Sequence, residues 1–205
     1  MPQVLKPEIR ARILSAGLEV FARDGYLGAT MNAIAEQAGL GAASLYRYFP
    51  SKAELFEAAI TPELASQFES LLVRRVQALA RIPAQARFTP QRDYGSEMLD
   101  FWLEHRLAVV VLLDRAQGSA YEQYGEKFVS LLLKSTLEQI RASDPKVEIT
   151  PAARLVLARI FESTRTTLAA ILAHSANPRV LREAIEAFWS YQIPGLHGFA
   201  AWIRK

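Results

Sequence analysis

The sequence predicts an all-α protein: an N-terminal three-helix head with a helix-turn-helix, a connecting fourth helix, and a larger C-terminal helical body. Three observations carry that expectation. Apolar residues recur at three- and four-residue spacing along most of the chain, and no window alternates convincingly at period two. A capping side chain followed by proline opens a helical stretch at Thr89-Pro90, Thr150-Pro151 and Asn177-Pro178. Residues 30–52 read as two short helices meeting at Gly39, followed by a capped third helix.

The elements follow in order. Ile9, Ile13, Ala16, Gly17, Val20 and Phe21 form one apolar stripe on a helix from about Pro7 to Asp24, and Gly25 is placed to end it as a left-handed cap. Thr30 caps a second helix that turns Ile34 and Ala38 inward, and Gly39 closes it. A third helix covers Ala42 to Tyr48 and stops at Pro50. Ser51-Lys-Ala-Glu54 is a capping box, so a fourth helix starts there with Leu55, Phe56, Ala59 and Ile60 on one face. Thr61-Pro62 either kinks that helix or restarts it, because proline suits a first turn and disrupts an interior. The pattern then resumes through Leu64, Phe68, Leu71 and Leu72 to about Ala80, with a linker at 81–89. Long helices are expected near 90–116, 119–142 (broken near Gly125), 151–175 and 178–193, with Pro194-Gly195 separating a last short segment that carries Trp202. The domain division is 1–50 for the head and 51–205 for the body.

Composition narrows the functional classes. The 205 residues are 51% apolar and 22% charged, with mean hydropathy +0.06, as in ordinary globular chains. The longest purely apolar run, Leu107–Leu113, is seven residues and too short to span a bilayer. No signal-peptide core is visible and there is no cysteine, so a cytoplasmic location is expected, without membrane partners. The net charge of +3 is not itself a nucleic-acid signal. Residues 1–60 hold six basic and six acidic side chains, so any DNA contact there depends on a few well-placed cations.

The residues from Ala29-Thr30 through Ile34-Ala35 to Gly39, then Ser44-Leu45-Tyr46-Arg47-Tyr48-Phe49-Pro50-Ser51-Lys52 and Glu54-Leu55, resemble the TetR/AcrR family of bacterial transcriptional regulators. Ile13 to Tyr26 resembles that family's first helix, and the likeness is close over about residues 8–60. The physics of the segment agrees. Thr30 offers a hydroxyl and a helix start to a phosphate, Lys52 can reach a second one, and Lys6, Arg10 and Arg12 can add backbone contacts. The resemblance implies that Tyr46, Tyr48 and Lys52 touch DNA backbone, while Gly41, Ala42, Ala43, Ser44 and Arg47 face base edges. Gly41-Ala42-Ala43 stand where polar residues are common in that family, leaving Ser44, Arg47 and alanine methyls as readers. Phosphate contacts and DNA shape are then expected to supply much of the discrimination.

A head with few base readers needs duplication, and a homodimer would span successive major-groove faces of a palindrome. Leu155, Leu168, Leu181, Ile185, Phe188 and Trp189, on two nearly all-apolar helices, are the candidate dimer residues. Phe101, Trp102, His105, Arg106, Tyr121, Tyr124, Phe128, Phe161 and Arg165 are candidates for a small-molecule pocket. Arg106 and Arg165 either meet an anionic ligand or pair with Asp114, Glu104 or Glu162. The three histidines lack metal-ligand spacing, and neither a phosphate loop nor a nucleophile elbow is present, so no enzyme activity, cofactor or metal is expected. By resemblance, the chain is a repressor that leaves a palindromic operator when an effector binds. The alternatives are a small-molecule-binding bundle without specific DNA readout, motivated by Gly41-Ala42-Ala43, and a helical enzyme using body Arg and His side chains.

Overall fold

The computed structural model of the chain describes residues 6–81 and 95–204, and among them every regular element is helical. The expected linker beyond residue 81, the Thr89-Pro90 helix start and Tyr94 lie outside the described residues.

Helix α1 (Pro7–Gly28) buries Ile13, Ala16, Gly17, Val20 and Phe21, the stripe read from the sequence. Its regular course breaks at Gly25, the glycine expected to end it. That residue takes φ 71° and ψ 164°, a region open essentially to glycine alone, and the chain makes one further turn, closed by Ala29 N–H on the Gly25 carbonyl. Helices α2 (Met31–Gln37) and α3 (Ala42–Tyr48) follow, and α4 (Lys52–Ala59) lays Leu55 and Phe56 into the same core. Phe56 meets Phe21 edge-on with ring centroids 5.0 Å apart. Thr61 restarts the chain: Ile60 is non-helical, and the Thr61 hydroxyl caps Leu64 N–H at the start of α5 (Pro62–Ala80).

The expected helix over 90–116 is broken. Helix α6 (Gly95–Glu104) ends at His105, whose φ of −105° and ψ of 27° interrupt it; α7 (Arg106–Val110) then widens into a π-helical turn over Val111–Arg115. Ala108 to Leu113 are all buried, so no polar face orients this stretch, and the packing of α1 and α9 around it decides its path. Helix α8 (Tyr124–Ser143) begins five residues later than expected and passes unbroken through Gly125, which lies in its first turn. Residues 119–123 form turns, tied by the Ser119 hydroxyl to the Ala116 carbonyl.

Helix α9 (Pro151–His174) starts where Thr150 caps Ala153 N–H, as read from the proline device. Helix α10 (Pro178–Ile203) starts the same way at Asn177 but corrects the expected break, for it runs through Pro194. A proline inside a helix costs about 3 kcal/mol in isolation. Here Leu196 and Phe199 pack on the core beyond it, and Arg204 bonds the Ser143 hydroxyl, so tertiary contacts hold the last turns in line.

The body is built from α5 to α10, with α5 against α8 and α9 against α7, α8 and α10. The end of α1 rests on the π-helical turn, which joins head to body. No helix among the described residues is long and apolar enough to cross a membrane.

Candidate nucleic-acid interface and body cavity

In the head, Gly39 adopts φ 64° to turn α2 into α3, and Leu40 N–H reaches back to the Ala35 carbonyl. Leu45 and Phe49 are buried beneath α3 and fix its orientation. The opposite side carries the predicted readers. Arg47 is exposed, Ser44 half-buried, and the Arg47 guanidinium donates to the Ser44 hydroxyl across 3.2 Å. Gly41 and Ala43 are exposed and Ala42 half-buried. Tyr46 is 48% exposed, whereas Tyr48 is half-buried and its hydroxyl accepts the Lys6 backbone N–H at 3.1 Å. Thr30 is exposed with its oxygen accepting Ala33 N–H, which leaves the hydroxyl proton available to a phosphate.

Lys52 is placed differently from expectation. Its ammonium donates to the carbonyls of Tyr26 (2.6 Å) and Ala29 (2.9 Å) and lies 4.4 Å from the centre of the Tyr26 ring. It closes the carboxyl end of α1 against the start of α4, so two of its three donors serve the fold. Arg10 is likewise drawn in, over the Phe49 ring at 5.2 Å.

The body holds a cavity of about 260 Å³ between α5, α6, α8, α9 and α10. Of the predicted pocket residues, Trp102, Phe128 and Phe161 line it. Phe101 stacks on Phe68, and His105 packs on Phe101. Tyr121 contacts Phe56 at the head–body joint. The Tyr124 hydroxyl is locked on the Ala65 carbonyl, and burial raises it well above the usual phenol range. Arg106 donates to the Leu172 carbonyl. Arg165 pairs with Glu162 at 2.7 Å, reaches Asp114 at 3.4 Å and bonds the Leu113 carbonyl. None of these six lines the cavity; Arg165 takes the pairing alternative with Glu162 and Asp114, whereas Arg106 bonds a backbone carbonyl instead of any of the three acids.

Sequence reasoning missed Arg75, which is 5% exposed, lines the cavity, and stands 4.7 Å from the centre of the Trp189 ring. Its signal was present: it falls between Leu72 and Val76 on the apolar stripe of α5, where a cation is out of place. The exposed lining residues are Ala80, Ser143, Ala201 and Arg204, at the carboxyl ends of α5, α8 and α10, and they form the mouth. Arg75, Trp102 and Phe161 lie deep.

The candidate dimer residues divide. Leu168, Leu181, Ile185 and Trp189 are buried within the subunit and Phe188 lines the cavity, so they support α9 and α10 from behind. Leu155 faces solvent, as do Val156 on α9 and Val180, Tyr191 and Trp202 on α10. Ala152, Val156, Ser163, Ala170 and Ala173, spaced by four, seven, seven and three residues, are exposed along one side of α9, and Val180, Ala187, Tyr191, Gly198 and Trp202 are exposed along one side of α10.

The described residues form a helix-turn-helix head fused to a hollow helical body. Residues 13–59 match the family model of the bacterial regulatory proteins, tetR family, so the head of this chain is a tetR-family domain. The HTH-type transcriptional repressor KstR of Rhodococcus jostii RHA1 is 40% identical over 78 residues, 38% of this chain and 35% of that protein. The HTH-type transcriptional regulator RutR of Escherichia coli K12 is 32% identical over 119 residues, 56% of each. The chain thus spans about a third to about half the length of these curated relatives. Among solved structures, a TetR-like transcriptional regulator from Rhodococcus sp. RHA1 is 25% identical with a TM-score of 0.50, covering 98% of this chain and 97% of that one. A TetR-family regulator from Chloroflexus aurantiacus shares the fold at 20% identity and TM-score 0.52, covering 98% and 93%.

Proposed function

We propose that this chain is a ligand-responsive, DNA-binding transcriptional regulator, working as a homodimer that represses from a palindromic operator and leaves it when a small molecule fills the body cavity. The observation that carries this reading is the presentation of Ser44 and Arg47 on the outer side of α3, over a buried Leu45–Phe49 base, at one end of a body with an internal cavity. DNA reading alone does not need that cavity. KstR, matched in the head, is a repressor by name, which favours repression over activation.

In this reading Arg47 and Ser44 contact base edges with Gly41, Ala42 and Ala43 against the groove floor, while Thr30, Tyr46 and Tyr48 set the backbone register. Lys52 offers one remaining donor to phosphate and otherwise positions Thr30 by holding the end of α1. The head is the DNA-binding domain and the remainder the effector and dimerisation domain. The functional boundary falls after α4 rather than at residue 50, because Leu55 and Phe56 belong to the head's core. The outer strips of α9 and α10 form the two-fold interface, and the cytoplasm, where operator and effector meet, is the site of action. No catalytic step is assigned.

Unbiased enrichment of DNA sites from a random pool tests the reading. A two-fold-symmetric consensus with half-sites about one helical turn apart is the expected result. Recovery of sequences without a shared site would reject it in favour of a bundle that only sequesters small molecules.

A further inference from the structure

One donor in the wall of the body cavity is left over. Trp102 lines the cavity and is 5% exposed, and its indole N–H meets no acceptor among the described residues. The polar groups around the cavity are otherwise matched or neutral. Gln192 donates its amide to the Thr164 hydroxyl, which donates in turn to the Ile160 carbonyl at 2.8 Å. Thr136 and Gln139 are half-buried and carry no charge. Arg75 is engaged, its guanidinium standing 4.7 Å from the centre of the Trp189 ring. Hydrocarbon makes up much of the remaining wall, with Leu72, Phe128, Leu132, Phe161 and Leu168, and no Asp or Glu is among the described residues that line it. An indole N–H can only donate, so burying it without an acceptor carries the full cost of its lost water.

We infer that the cavity takes a neutral, mainly hydrocarbon molecule bearing one carbonyl-type oxygen, which accepts the Trp102 indole N–H while the hydrocarbon lies against Phe128, Leu132, Phe161 and Leu168. This rests on the reading of the body as an effector domain and names the class of effector. Charge argues against the other head groups. An ammonium would meet Arg75 and no acid in the wall, and a carboxylate would exchange its water for a neutral donor beside an arginine that is already engaged. A ligand without an acceptor would fit the apolar wall and leave the Trp102 N–H as it stands. Size sets the scale. A cavity of about 150 Å³ holds benzene, so about 260 Å³ holds on the order of ten heavy atoms.

The test is calorimetric titration of the full chain with butylbenzene, butyrophenone, phenylbutyrate and phenylbutylammonium, which share a phenyl ring and a four-carbon chain and differ in polar group. Butyrophenone is expected to bind about fivefold tighter than butylbenzene, and each charged analogue about tenfold or more weaker than butyrophenone. Trp102→Phe should bring butyrophenone to within about twofold of butylbenzene. Because that ratio is read within one variant, a general loosening of the wall moves both ligands together and leaves it unchanged. Equal binding of butyrophenone and butylbenzene by the unaltered chain, preference for either charged analogue, or no binding of any of the four overturns the inference without needing a variant. A ratio that survives Trp102→Phe overturns it as well. The same titration on operator-bound protein separates the two readings. Tight butyrophenone binding that leaves DNA affinity unchanged upholds the ligand class and removes the effector role. Release by a charged analogue alone overturns the ligand class and leaves the regulator standing.

Discussion

The Arg165 guanidinium is hydrogen-bonded to the Leu113 carbonyl, fastening α9 to the π-helical turn on which the end of α1 rests. Arg165 directly follows Thr164, which lines the cavity. One side chain therefore ties a cavity wall to the segment that carries the head, and the neighbouring turn of α8 must be bare to admit it. A Cβ added at Gly125 would stand 2.9 Å from the Leu113 carbonyl oxygen and 3.2 Å from Arg165 Cδ. Because the first obstacle is backbone, Gly125→Ala is expected to destabilise the chain by about 1–3 kcal/mol, the usual range for overpacking. Urea unfolding of both proteins measures it, and an unchanged midpoint would show that the joint gives way freely.

The same joint depends on acid. Glu162 is held below the ordinary glutamate range by its hydrogen bond to Arg165, with burial opposing and the arginine charge adding. Its folded pKa lies below its unfolded one, so its contribution is complete above about pH 4.3 and is lost as pH falls through the lower folded value. The gap in melting temperature between the unaltered chain and Glu162→Gln should be constant from neutrality down to about pH 5 and close in stronger acid. A gap that widened on acidification would reverse the sign.

Lys52 closes the end of α1 by donating to Tyr26 and Ala29, and replacing it with methionine leaves both carbonyls without that donor. A loss of about 1.5–3 kcal/mol of stability is expected, in the range for bonds to charged groups. DNA affinity should fall by a similar factor on operator and random duplexes alike. A variant that melts normally but binds weakly would make Lys52 a phosphate contact first.

Arg47 touches Ser44 in the free chain and little of the core. Arg47→Ala should leave stability within experimental error and relax preference at one base position by about 1–3 kcal/mol if it reads guanine bidentately. Competition binding against single-base operator variants is the measurement. Uniform weakening at all positions would move Arg47 to the backbone-contacting group.

Tyr191 is 81% exposed on the outer strip of α10, and a side chain added at Gly195 or Gly198 would meet nothing. Tyr191→Glu should convert a dimer to monomers in light scattering while helicity by circular dichroism is retained. Operator affinity should drop at least tenfold with it. A dimer that survives the change places the two-fold face elsewhere.

The head was readable because its cues are local. Gly39, the Thr30 and Ser51 caps and the Leu45–Phe49 base act within a few residues of themselves, and they stand where spacing put them. The body was readable in outline only. The break at His105, the π-helical turn and the passage of α10 through Pro194 are decided by partners distant in sequence, which overrule local propensity. Trp189 and Leu168 looked available for a partner because apolarity does not say which side of a crowded helix faces inward. Tyr124 and Arg165 looked like ligand groups because no pattern reveals the carbonyls they would find. Arg75 was the reverse case, a charge on an apolar stripe whose meaning needed the cavity around it.

Ala80, Ser143 and Ala201 open the hollow at the carboxyl tips of their helices. Helix α5 rises about 27 Å from Pro62, next to the head, to Ala80. The doorway is therefore at the end of α5 remote from the head, where, in the proposed reading, a duplex on α3 would leave it clear. In the proposed regulator reading, loading then need not wait for spontaneous dissociation, and release from the operator is expected to quicken with effector dose beyond the departure rate of the empty protein.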